Sequence, residues 1–251
     1  MKPVIVTRPE REAQAWVDQL KAKGWLVQAL PLICIEPPAD PAALKAHQAQ
    51  ASGLDALMFV SPQAVQHFAD PAWVAAGGRC WAPGPGTAQA LRKLGVAADR
   101  IDQPPPDASQ FDSEALWAVV SGQVGPGCRV LVVRGQSADG QLGRDWLIRQ
   151  CRAAGAEVAT CIAYRRVAPV WDAAARALAD SSLHNGSIWL FSSSQALEHL
   201  AELLPHASFG QARALVTHPK IEMSARRMGF GEIITTRPAL SDVLTGLQAF
   251  T

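Results

Sequence analysis

The two halves of this 251-residue chain carry the same ordered set of strand-to-helix corners. LMFVSPQAVQHF (Leu57–Phe68) returns as WLFSSSQALEHL (Trp189–Leu200). Each is an apolar strand that stops at a serine and turns into a helix bearing Gln-Ala and, four residues after the Gln, a His. VIVTRP (Val4–Pro9) returns as VLVVRG (Val130–Gly135), a strand ending in Arg8 or Arg134. WAPGPGTAQALRKLGV (Trp81–Val96) returns as LVTHPKIEMSARRMGF (Leu215–Phe230), with Pro85 or Pro219 at the strand end. DSEALWAVV (Asp112–Val120) returns as LSDVLTGL (Leu240–Leu247). The period, about 130 residues, is too long for a solenoid unit and suits one small α/β unit per copy.

Most of the strands are continuously apolar rather than alternating, which fits parallel strands covered on both faces. Strands alternating with helices predict βαβ units. The first helix shows the local logic. Pro9 is expected at its first position, where the missing N–H costs nothing. Glu10 and Glu12 favour the first turn. Ala13, Trp16, Val17 and Leu20 form an apolar stripe, and Gly24 closes the helix. Ser61, Ser113 and Ser241 read as helix caps.

Charge excludes some classes. With 23 basic and 22 acidic residues, there is no broad basic face for nucleic acid. No apolar run reaches the ~20 residues of a membrane span. The N-terminal stretch reads as a strand followed by charges rather than a signal peptide. Five scattered cysteines without CxxC or Cys/His spacing read as reduced, buried thiols of a cytoplasmic protein, with no metal site.

In open parallel sheets, ligands bind beyond the carboxyl ends of the strands. The repeated corners fall there: Arg8-Pro9, Ser61-Pro62, Gly84-Pro85-Gly86-Thr87, Arg134-Gly135, Ser192-Ser193-Ser194 and His218-Pro219-Lys220. Each is a helix start with free N–H groups. Together they suit a ligand with many carboxylates or phosphates on a large frame. Singly, each residue reads equally as a cap or turn residue, and His67 and His199 read as surface or interface residues. GPGT lacks the third Gly of a dinucleotide fingerprint, there is no phosphate-binding P-loop, and FSSSQ is not a hydrolase nucleophile elbow.

The single tyrosine, Tyr164 in TCIAYRRVAP, departs from the repeat, where its counterpart is Leu32. A strand-end Tyr is usually a half-buried edge residue. As the one ionisable asymmetry between the copies, it is also the strongest single candidate for chemistry.

The ordered set VIVTRP, ALPLICIEP, DALMFVSPQAV, APGPGTAQAL, RVLVVRGQ with GRDWLIRQCRAAGAEV, AYRRVAP, FSSSQAL and THPKIEMSARRMGF resembles the uroporphyrinogen-III synthase family over nearly the whole chain. The resemblance implies two flavodoxin-like parallel-sheet domains joined by a two-stranded β-ladder linker. One would combine residues 1–35 with 167–251, and the other would span 37–165. The linkers would lie near 32–38 and 163–169, with Tyr164 at the interdomain cleft. The implied reaction closes the linear tetrapyrrole hydroxymethylbilane to uroporphyrinogen III, with loss of water and inversion of ring D, and without metal or cofactor.

On that resemblance Tyr164 assists departure of the ring A hydroxyl. Ser61, Thr87 and Ser193 match substrate-contact positions. Lys220 stands where other members carry Thr or Arg. On position and charge, Arg8, Arg134 and Arg144 read as carboxylate binders or as members of structural ion pairs, and Pro62, Gly86, Gly135, Ser192 and His218 complete the corners. The expected state is a monomer, with the upstream bilane-forming enzyme as its one candidate partner. Two rival readings stand beside it: a non-catalytic two-lobed sensor or binding module for a polyanion, and a nucleotide-binding enzyme using GPGT.

Overall fold

The computed structural model describes residues 2–75, 78–137, 140 and 145–250. The chain opens with β1 (Val4–Val6), α1 (Glu10–Lys21), β2 (Val27–Ala29), β3 (Cys34–Glu36) and α2 (Pro41–Gln50). Next come β4 (Ala56–Phe59), α3 (Pro62–Phe68), α4 (Pro71–Ala75), β5 (Arg79–Trp81), α5 (Pro85–Lys93), β6 (Ile101–Asp102) and α6 (Ser113–Val120). β7 (Arg129–Ser137), α7 (Trp146–Ala153) and β8 (Glu157–Val167) follow. The chain closes with α8 (Ala173–His184), β9 (Ile188–Phe191), α9 (Ser194–Leu203), β10 (Arg213–Val216), α10 (Pro219–Met228), β11 (Glu232–Thr235) and α11 (Leu240–Gln248).

These elements form two compact units, Met1–Cys34 with Val167–Thr251, and Ile35–Arg166. The first holds a five-stranded sheet in the order β11-β10-β9-β1-β2, parallel throughout. The second holds the sheet β3-β8-β7-β4-β5-β6, in which β8, β7, β4, β5 and β6 pair in parallel. The sequence repeat maps β1 onto β7, β2 onto β8, β9 onto β4, β10 onto β5 and β11 onto β6. Each copy then has the same second-first-third-fourth-fifth order, a flavodoxin-like arrangement. The strand order reverses between β1 and β9 in one unit and between β7 and β4 in the other. No helix among the described residues is long and apolar enough to cross a membrane.

The apolar strand runs are explained by what covers them. Along β4 and β7, Leu57, Phe59, Leu131 and Val133 enter one core with Phe68, Trp73 and Leu91. Ala56, Met58, Val130 and Val132 enter another with Leu116, Leu147 and Cys151. Successive side chains point to opposite faces, so a strand covered by helices on both sides must be apolar at every position. Burying each such side chain contributes about 1.5–3 kcal/mol before the ordering entropy is charged against it.

The first helix starts one residue later than its sequence suggests. Pro9, with extended backbone, is the N-cap, and Glu10 is the first helical residue. Ala13, Val17 and Leu20 bury the expected stripe, while Trp16 packs at its margin. Gly24 after α1 and Gly155 after α7 both take φ near +90°, at +85° and +93°. Both sit at the same left-handed turn into the second strand of their copy, where a Cβ would be strained. Ser113 and Ser241 are not caps. Asp112 caps α6 by accepting the amide of Ala115 at 2.9 Å. α11 has no side-chain cap, and Ala239 precedes it.

Candidate functional site

The corners gather at the carboxyl ends of adjacent strands within each unit. In the second unit Tyr164 and Gly135 lie within the last few residues of β8 and β7, and Ser61 and Gly84 follow β4 and β5; the four strands are consecutive in the sheet. Ser61 caps α3, its Oγ accepting the Ala64 amide at 3.1 Å, with Pro62 at the first helical position. Gly84 begins α5 with no side chain to cap it. The starts of α3 and α5 lie side by side, since a Cβ on Gly86 would come 3.6 Å from Pro62 Cγ. Gly86 is exposed and Thr87 buried.

Tyr164 is 2% exposed and belongs to the core of this unit. The half-buried edge position expected of it is wrong for a physical reason: β3 flanks β8, so β8 is an interior strand. Its phenol oxygen lies 2.9 Å from Ser61 Oγ. Its ring stacks on His67, with centroids 5.6 Å apart and planes at 29°. The Arg166 guanidinium carbon is 5.9 Å from the ring centroid. Gly135 is where the ring is admitted, because a Cβ there would stand 2.4 Å from Tyr164 Cζ. A bulge between Arg134 and Gly135 in the β7–β8 register pairs Arg134 with Ile162 and Gly135 with Tyr164. It absorbs the one residue by which Gly155–Tyr164 exceeds Gly24–Leu32 and fixes which strand residue faces the glycine.

The sequence leaves Arg134 two readings, a binder of a ligand carboxylate or a member of a structural ion pair. It is buried, 4% exposed, and its guanidinium is held at 2.6 Å by Asp145. The protein already supplies its carboxylate. Arg144, the third candidate arginine, lies outside the described residues.

In the first unit Arg8, Ser193 and His218 follow β1, β9 and β10, again consecutive in the sheet. Arg8 meets Glu12 at 3.4 Å and lies over the Trp16 ring, 4.6 Å from its centroid. Its Nε is buried and has no hydrogen-bond partner among the described residues. Burial holds the Arg8 pKa below its ordinary value, against the opposing pull of the Glu12 charge and hydrogen bond. Ser193 caps α9 by accepting the Gln195 amide at 3.2 Å, and Ser192 precedes it, half-buried. His218 caps α10, its Nδ1 accepting the Lys220 amide at 3.0 Å. Lys220 itself is exposed.

Of the two histidines read as surface or interface residues, His67 is half-buried and His199 is buried. His199 is 5% exposed and its Nδ1 lies 2.6 Å from the Leu32 carbonyl oxygen. Leu32 is the repeat counterpart of Tyr164, and His199 of His67. Each copy therefore sets the helix histidine against the end of its second strand, through the backbone in one and through the phenol ring in the other. The repeated His was the sequence signal for this. Asp145 gave no comparable signal.

Residues 14–244 match the family model described as uroporphyrinogen-III synthase HemD. The chain is 28% identical over 252 aligned residues to uroporphyrinogen-III synthase of Salmonella typhimurium, covering 96% of this chain and 97% of that one. In fold it resembles a mutant uroporphyrinogen III synthase of the extremely thermophilic bacterium Thermus thermophilus (TM-score 0.58, 16% identity, 100% of this chain and 98% of the other). It also resembles the uroporphyrinogen-III synthetase of Helicobacter pylori (TM-score 0.61, 13% identity, full coverage of both chains).

Proposed function

We propose how this chain, which belongs to the uroporphyrinogen-III synthase family, uses its corners to cyclise hydroxymethylbilane, a linear tetrapyrrole, to uroporphyrinogen III in haem biosynthesis. The reaction loses water and inverts ring D. The substrate presents eight carboxylates on a flexible frame, and it closes without the enzyme to the uninverted isomer. The protein's task is to hold a folded conformer that leads through a spiro intermediate, mainly by positioning and by stabilising developing charge.

The observation that carries the catalytic assignment is the hydrogen-bonded line from the start of α3 to Tyr164. The Ala64 N–H donates to Ser61 Oγ. If Ser61 O–H donates in turn to Tyr164 Oη, the phenol proton is left to donate to the departing ring A hydroxyl. The helix-start N–H groups and their dipole then polarise the whole line toward that proton. A phenol with a reference pKa of ~10 is a weak acid at neutral pH. Its burial strengthens any hydrogen bond it makes, and substrate must part the side chains around it to make one.

The carboxylate arms are assigned to the remaining corners. At α5 no side chain competes for the first-turn amides of Gly86 and Thr87, which suits them to a carboxylate. At α10 His218 occupies the Lys220 amide, and the Lys220 ammonium takes over the anion-binding role. At the reversal of strand order in the first unit, Arg8 supplies a cation whose buried Nε–H has no partner among the described residues. Its counterpart Arg134 is neutralised by Asp145 and serves the architecture. Pro62, Gly135, Ser192 and Ser193 shape the surface around these groups.

The test is an assay supplied with freshly generated hydroxymethylbilane, with products resolved into isomers I and III for wild type and Tyr164→Phe. Isomer III from the wild type and a slower mutant are expected. Isomer I alone, at the spontaneous rate, sinks the assignment and favours a polyanion-binding module.

A further inference from the structure

We infer that His67 is a positioning residue for the Tyr164 phenol, an inference that rests on the catalytic reading of that phenol. α3 approaches Tyr164 with two groups. Its cap, Ser61, meets the phenol oxygen at 2.9 Å. One and a half turns on, His67 lays its ring against the phenol ring at 5.6 Å and 29°. Across from the helix, β7 offers only the bare backbone of Gly135, too close to the ring for any Cβ.

A tyrosine side chain has two soft torsions. The core of the unit fixes the first by burying the residue. The second, and the tilt of the ring, are set by what lies on its faces. Stacking with an offset aromatic face gives that tilt a preferred value. Because Ser61 and His67 share one helix, the direction of the hydrogen bond and the plane of the ring are referred to the same rigid body. The other copy shows what the position does without a phenol. His199 there is spent on the Leu32 carbonyl at 2.6 Å, a backbone tie. In the second unit, where the β7–β8 register carries a bulge, the histidine ring stacks on the phenol ring.

Tyr164 is the only tyrosine in the chain, so a spectroscopic probe of tyrosine reports this ring alone. The experiment compares wild type, His67→Ala, His67→Phe and Tyr164→Phe in the isomer-resolved assay. Ring-labelled tyrosine NMR is recorded on every variant that retains the tyrosine, and thermal melts confirm folding. His67→Ala is expected to lower kcat about tenfold with KM nearly unchanged, as a small misplacement of a reacting group does. Its tyrosine signal should shift and broaden. His67→Phe, which restores an aromatic face, should recover most of the rate and the sharp signal. A folded His67→Ala protein with wild-type kcat, or with lowered kcat and an unmoved tyrosine signal, overturns the inference. Should His67→Ala fail to fold, His67→Phe decides alone: full rate with an undisturbed signal supports positioning by the ring face, and tenfold loss overturns it. Full activity in Tyr164→Phe overturns the catalytic reading itself, and this inference with it. Loss in Tyr164→Phe but none in His67→Ala overturns this inference only.

Discussion

Tyr164 Oη lies 2.9 Å from Ser61 Oγ, and the same Oγ lies 3.1 Å from the amide nitrogen of Ala64. One hydroxyl thus serves both a helix cap and a buried phenol. Ser61→Ala removes both roles. It is expected to cost about 1 kcal/mol for the cap and to lower kcat by about as much as Tyr164→Phe. That is on the order of tenfold to a hundredfold, the low end for general acid catalysis. Tyr164→Phe should leave the helix cap intact and cost only about 1 kcal/mol of stability. Urea unfolding alongside initial rates separates the two effects. A Ser61→Ala enzyme with full kcat would break the link between cap and phenol.

Gly135 is set by the ring it admits. A Cβ there would meet Tyr164 Cζ, Cε2 and Oη at 2.4, 2.5 and 2.8 Å. Gly135→Ala is expected to destabilise by about 1–3 kcal/mol, the range for overpacking, and to reduce activity through displacement of the phenol. In Gly135→Ala/Tyr164→Leu the clash is gone. The combined loss should fall short of the sum of the single losses, which chemical denaturation of all four proteins measures.

Arg8 and Arg134 occupy equivalent strand ends but have different neighbours. Arg8→Gln is expected to raise KM about tenfold, the equivalent of one charge-assisted hydrogen bond, with little loss of stability. Arg134→Met strands the Asp145 carboxylate and removes a buried ion pair, at about 1–3 kcal/mol. Because Asp145 is half-exposed, at 52% for its side chain, water can rehydrate it and moderate that cost. KM in Arg134→Met should stay near wild type. Steady-state kinetics and thermal melts of the two variants check the contrast.

The buried thiols predict an alkaline limit. Burial pushes Cys80 and Cys151 up to about 11 and Cys161 up to about 12. In the unfolded chain these thiols ionise near their reference value of ~8.5. Folded pKa values above the unfolded ones mean that their share of stability is fully present below about pH 8.5. It is lost progressively as pH rises toward 11–12. Melting temperature should fall across that window. At neutral pH Cys34, which is exposed, should react first with a maleimide, and Cys80, Cys151 and Cys161 only on unfolding. Rapid labelling of Cys161 in the folded protein would contradict its burial.

The layered architecture was legible because it depends on local pattern. Continuously apolar strands, Pro and Ser at helix starts, and the order of the repeat each follow from backbone chemistry within a few residues. What the side chains at the corners do depends on partners that arrive from elsewhere. VIVTRP and VLVVRG look alike, yet Asp145 pairs with the Arg134 guanidinium, while Arg8 meets Glu12 and the Trp16 ring. The extra residue before Tyr164 was countable in the sequence. That a bulge would absorb it, and turn the phenol toward Ser61 and His67, followed only from the pairing of β8 with β7. The partners of the two helix histidines were not legible, because a lone His on an amphipathic helix carries no mark of what it faces.

The crossing of the chain between its two units has a consequence for birth on the ribosome. Every strand from β4 to β8 is encoded without interruption, so the second sheet can close while synthesis is still under way. β1 is flanked by β2 on one side and β9 on the other, and β9 is made some 180 residues after β1. Until then the nascent protein carries a short apolar strand pair, one edge unsheltered, ahead of a sheet already finished. That edge stays open to chaperones and to misassociation until β9 has been made.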